Sequence, residues 1–165
     1  ENRIVPDCVR AWSKGNQVAL RNPKATRPWQ HVLEPLSGYL NLAMSLIEST
    51  ELHGEPFNFG PPADQNHSVG NLVTQMSQHW DRVRWQDVSQ GGEGPYESGL
   101  LKLNCDKALH HLNWRAVWNF ERTVQETIDW YRAFYEKPET ISEQTKTQIS
   151  RYQQDARTLG LAWAQ

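Results

Sequence analysis

Arg27 is the residue of this sequence best placed to act on an anion. It precedes Pro28 in the run ATRPWQHVLEPLSGYL, residues 25–40, and has no acidic neighbour in sequence. Proline disfavours the α region for the residue before it, so Arg27 is expected in extended backbone. A guanidinium held there can donate two hydrogen bonds to a phosphate or diphosphate. The alternative is a solvated arginine or half of a surface ion pair.

Other candidates are weaker on spacing alone. Arg3 precedes Ile4, Val5, Pro6 and Asp7 and reads first as a surface arginine at a helix start. Arg21 and Asn22 follow the VAL run of residues 18–20. A guanidinium and an amide can read the edge of a base or ribose, but Asn-Pro also starts turns. Tyr96 and Glu97 lie in QGGEGPYES, a loop by composition. They can meet ribose hydroxyls or serve only as loop residues. Eight tryptophans are many for 165 residues. Trp12 and Trp80 fall on apolar helix faces, and Trp29, Trp114, Trp118 and Trp130 are expected to pack rather than to stack on a ligand.

Several chemistries are missing. Neither GxGxxG nor GxxxxGK[ST] occurs, nor Tyr-x-x-x-Lys, HExxH or GxSxG. His110 and His111 are adjacent, so a helix turns them to different sides and they make poor joint metal ligands. The formal net charge is −2 and both signs are interspersed, which is not a nucleic-acid footprint. No apolar run reaches the roughly 18 residues of a membrane span. Cys8 and Cys105 fit no CxxC pattern and are expected as reduced, packed thiols of a cytoplasmic protein.

The elements that must position these residues are short strands among many helices. Ile4, Val5, Val9 and Trp12 have helical spacing, with Gly15 as a stop. Residues 17–21 and 27–32 are extended candidates. Leu36, Leu40, Ala43, Met44 and Ile47 trace one face of a helix over 33–49. Residues 57–59, Phe-Asn-Phe before Gly-Pro-Pro, read as a short strand. Val69, Leu72, Val73, Met76 and Trp80 make an amphipathic helix with Asn66 or Ser68 as cap. A strand over 100–103, a short helix over 106–112, a long helix from Phe120 ended by Pro138, and a helix over 142–159 complete the reading. The 57–59 strand poses a problem, because the chain supplies no sheet to receive it and an unpaired edge is unfavourable. The abrupt, structured opening ENRIVPDCVRAW also leads us to expect a segment before Glu1.

The runs RIVPDCVRAW, RNPKATRPWQHVLEPLSGYL, FNFGP and LKLNCDKALHHLNWRAVWNFERTVQETIDWY together resemble the C-terminal half of the CDP-glucose 4,6-dehydratases. These belong to the extended short-chain dehydrogenase/reductase family. The resemblance covers about residues 1–135, and RPWQHVLEPLSGYL is its most specific part. Residues 136–165 resemble the family's helical tail only loosely.

The resemblance implies an α/β fold: the helix-rich, C-terminal substrate-binding part of such an enzyme, with short strands and without the dinucleotide-binding half. Residues 1–135 would form the nucleotide-sugar-binding domain, and 136–165 a helical tail. Helix 33–49 and strand 57–59 would join the large sheet of the absent half. That half would bind NAD and carry the Tyr/Lys catalytic pair, so no catalytic residue and no cofactor site are expected here. The implied reaction is an internal redox: the sugar of CDP-glucose is oxidised at C4, loses water across C5 and C6, and is reduced at C6, with NAD carrying the hydride.

By the same resemblance Arg27 matches an arginine that binds the diphosphate. Arg3, Ile4 and Pro6 match a stretch bordering the nucleotide, and Leu20, Arg21 and Asn22 match the strand under the base. Tyr96 and Glu97 stand where the dehydratases carry a His-Glu pair. Leu100 replaces a usual tyrosine and Asn104 a usual aspartate. Asn113 replaces the glycine of LGW at a helix end, where asparagine can also take the left-handed conformation. The complete enzyme is expected to be a homodimer. The alternatives are a non-catalytic nucleotide-sugar-binding remnant, or a dehydratase or epimerase for another nucleotide-sugar.

Overall fold

The computed structural model describes residues 3–89 and 99–165. Six helices, α1 (Ile4–Ser13), α2 (Leu33–Glu48), α3 (Val69–Met76), α4 (Asp106–Leu112), α5 (Phe120–Glu136) and α6 (Ile141–Thr158), make up about half of it. The strands are β1 (Val18–Leu20), β2 (Thr26–Arg27), β3 (His67–Ser68) and β4 (Trp85–Asp87). β1 runs parallel to β4 with Val18 opposite Trp85. β2 runs antiparallel to β3 with Arg27 opposite His67. This is the helix-rich α/β architecture with short strands that the sequence implied.

The periodic faces make the core. α1 buries Cys8, Val9 and Trp12 against Leu72, Val73 and Met76 of α3 and against Phe120, Val124 and Ile128, which recur every fourth residue along α5. Each helix ends for a local reason. Gly15, at φ +75°, closes α1 by donating its N–H to Trp12 O. Ser68 caps α3, exchanging bonds with Asn71 in a capping box. Asn119 accepts from Arg122 N at the start of α5. Asn113 adopts φ 47°, ψ 31° after α4, the left-handed role expected of it. Cys8 and Cys105 are both free thiols. Burial, with Asp7 adding to it, pushes Cys8 up to about 12, which leaves no thiolate at neutral pH.

Three expectations need correction, whereas residues 57–59 pair with no strand among the described residues, in keeping with a reading that gave them a sheet only in the other half. The Phe57 and Phe59 rings stack 6.4 Å apart on one side, but a strand exists only by its ladder, and none is present here. Residues 100–103 form only a single parallel bridge, Leu100 to Thr26. Of the run 27–32 only Arg27 is in a strand, because Pro28 has no N–H for a ladder. α3 stops at Met76, and Trp80 joins the core from the following turn.

α2 has two dissimilar sides. On one, Gly38 packs so closely on Phe59 that a Cβ there would lie 2.3 Å from its ring. On the other, Val32, Leu36, Leu40, Met44 and Ile47 are exposed, Leu40 to 69% and Ile47 to 86%. A contiguous apolar stripe of this kind is unusual on a finished soluble surface.

Candidate functional site

The run from Arg27 to Glu34 is fastened residue by residue to different parts of the chain. Thr26 donates from both N (2.9 Å) and Oγ1 (3.2 Å) to Gly99 O, so β2 lies between β3 and the 99–100 segment. Arg27 Nη1 donates to Thr26 O at 2.8 Å. Trp29 Nε1 donates to His67 O at 2.8 Å, and Gln30 Nε2 to Phe59 O at 3.0 Å. His31 is buried, its ring edge-on to Trp118 with centroids 4.9 Å apart. Its Nδ1 accepts from Leu33 N, and burial lowers its pKa to about 4 although Glu126 pulls the other way. His31 is therefore neutral at physiological pH.

Glu34 closes the run. It is fully buried, and donors surround its carboxylate: Trp118 N on Oε1 at 2.8 Å, Val117 N on Oε2 at 2.9 Å, and Tyr152 Oη on Oε2 at 2.7 Å. Burial pushes its pKa up, and these three bonds oppose the shift. Ser37 Oγ completes the knot, 3.0 Å from Tyr152 Oη and accepting from Trp114 Nε1 at 2.9 Å. Trp118 Nε1 also donates to Asp155 at 2.7 Å, so α6 holds the same loop twice.

The expected site residues fall into separate places. Arg3 and Pro6 line a groove of about 730 Å³, with Trp29, His31, Trp130 and Ile149 among its other walls. Arg27 does not line that groove but a small slot beside Pro61, Pro62, Asn66 and Lys102. Ile4 is half-buried against the main core. Leu20 is buried, and its carbonyl accepts from Val88 N, so its side chain is a core group. Arg21 is exposed, and Asn22 O accepts from Ala25 N in a turn, the structural alternative weighed for that pair. Tyr96 and Glu97 lie outside the described residues. Trp12, Trp80, Trp114 and Trp118 are buried as expected, while Trp29 and Trp130 are groove walls.

Three residues of consequence were not singled out in the sequence: Glu34, Tyr152 and Lys102. An acid set within HVLEPL, between apolar neighbours, was the available signal for Glu34. Lys102, inside LKL, had the same kind of signal. Nothing local marks Tyr152.

A curated CDP-glucose 4,6-dehydratase of Salmonella typhimurium is 36% identical over 153 residues, 92% of this chain. The chain is a relative of the C-terminal part of that enzyme. It spans 42% of the dehydratase's length. Among solved structures, a UDP-N-acetylglucosamine 4-epimerase from Bacillus cereus superposes with a TM-score of 0.54 over 80% of this chain and 44% of its own, at 18% identity. That likeness concerns the fold. No family model matches the chain. No helix among the described residues is long and apolar enough to cross a membrane.

Proposed function

We propose that this chain is the nucleotide-sugar-binding portion of a CDP-glucose 4,6-dehydratase, which converts CDP-glucose to CDP-4-keto-6-deoxyglucose in deoxysugar precursor biosynthesis. Arg27 holds the diphosphate. Arg3, Ile4 and Pro6 border the nucleotide, Leu20 (through its backbone), Arg21 and Asn22 lie under the base, and Tyr96 and Glu97 approach the ribose. The observation that carries this reading is the fastening of residues 26–34. An arginine needs a fixed fork to grip a diphosphate bidentately, and this run is tied at Thr26, Trp29, Gln30, His31 and Glu34 to four other stretches of chain, at Gly99, His67, Phe59 and residues 117–118.

The dinucleotide-binding half belongs to the same reading. It covers the apolar stripe of α2, supplies a partner for residues 57–59, and holds NAD, whose chemistry is hydride transfer. Neither GxGxxG nor GxxxxGK[ST] occurs in the sequence, so the pyrophosphate of NAD is assigned to the other half and no redox step to the residues of this segment. The complete enzyme would be a cytoplasmic homodimer. This segment's contribution is to bind and orient CDP-glucose so that its sugar faces the other half. A preference for another nucleotide-sugar is the second reading. It is favoured by Leu100, which is bridged to Thr26 next to Arg27 and replaces the tyrosine usual in the dehydratases.

The test is Arg27→Ala in the full-length protein. Loss of a charge-assisted pair should weaken CDP-glucose binding by about 1.5–3 kcal/mol. An unchanged dissociation constant would remove the diphosphate role.

A further inference from the structure

We propose that Lys102 is a second cationic anchor for the diphosphate that Arg27 grips, reaching it from a neighbouring stretch of chain. The proposal rests on the reading of Arg27 given above and extends the site to a residue outside the RPWQH run. The 99–104 segment is pinned at both ends. Gly99 O accepts twice from Thr26 and Leu100 bridges Thr26, while Asn104 O accepts from Asn58 Nδ2 at 3.2 Å. Between these pins Lys102 lines the same slot as Arg27.

The ammonium is held in place. Lys102 Nζ donates to Ala63 O at 2.9 Å, which uses one of its three donors, and among the described residues Lys102 makes no ion pair. The slot itself is about 10 Å³, room for a water-sized group and no more. A phosphate would therefore meet both side chains at the rim rather than enter. An anion at that rim would be attracted by the ammonium as well as by the guanidinium. A diphosphate spreads its charge over several oxygens, so a planar fork and a point charge can engage different ones.

The experiment is calorimetric titration of the full-length protein with CDP and with cytidine, for wild type, Arg27→Ala, Lys102→Met and Lys102→Arg, with melting curves alongside. Lys102→Met should weaken CDP about tenfold, as expected for loss of one partly exposed charge-assisted contact. It should leave cytidine unchanged and flatten the salt dependence of CDP binding, and Lys102→Arg should recover most of the affinity. If Arg27→Ala weakens CDP and Lys102→Met does not, the Lys102 proposal falls and the reading of Arg27 stands. If neither variant moves CDP, both fall. If Lys102→Met weakens CDP and cytidine alike and lowers the melting temperature, Lys102 only braces the turn at Ala63 and the proposal is overturned.

Discussion

Tyr152 Oη lies 2.7 Å from Glu34 Oε2, donating to it from 118 positions further along the chain. Through this bond the sixth helix reaches the first turn of the second, at the end of the run that begins with Arg27. The tyrosine also packs edge-on to Trp118, centroids 5.0 Å apart, and stacks on Trp163. A residue of the last helix thus helps to hold the segment on which the proposed anion site is built.

Tyr152→Phe keeps those ring contacts and removes only the hydroxyl. Glu34 Oε2 is then left with Val117 N alone, and Ser37 Oγ loses its neighbour. A buried acceptor that loses a donor costs about 1–3 kcal/mol. Urea denaturation of the two proteins should show that difference at unchanged m-value. Superimposable curves would mean that the Glu34 knot contributes nothing.

His31 predicts a pH dependence. Its folded pKa of about 4 lies below the ordinary 6.5, so between these values the unfolded chain binds more protons than the folded one. Stability therefore falls as the pH drops from about 6.5 toward 4, by an amount on the order of 3 kcal/mol at the acid end. Above pH 6.5 His31 contributes no slope. Denaturation midpoints measured across that window should fall less steeply for His31→Gln than for wild type. Equal slopes would contradict a buried neutral imidazole.

The exposed stripe of α2 predicts a loss confined to the joined halves. Leu40 is 69% exposed. If the dinucleotide-binding half covers it, Leu40→Glu in the full-length protein forfeits about 1.5–3 kcal/mol of apolar burial and adds a charge to a dry contact. Limited proteolysis should then cut between the halves faster than in wild type. No change in cleavage would place α2 at a free surface.

Much of the scaffold was legible because its signals are local. The four-residue repeat of Phe120, Val124 and Ile128, the stop at Gly15 and the left-handed Asn113 each follow from a few adjacent residues. β3 and β4 were not legible, since two or three residues cannot display alternation. Residues 57–59 do alternate, but pairing depends on a partner strand that is not found among the described residues. At Arg27 the extended backbone was legible, because Pro28 dictates the local conformation. Glu34 and Lys102 were not, because their roles depend on groups brought from elsewhere: Val117, Trp118 and Tyr152 for one, Ala63 for the other. The sequence marked Leu20 only through its resemblance, and the structure spends its side chain on the core.

The central claim is best tested by incubating the full-length protein with CDP-glucose and NAD and weighing the nucleotide-sugar product by mass spectrometry. The account predicts a CDP-sugar lighter than the substrate by one water, with formation strongly reduced by Arg27→Ala. CDP-glucose recovered at its original mass, from a folded protein with NAD bound, would contradict it.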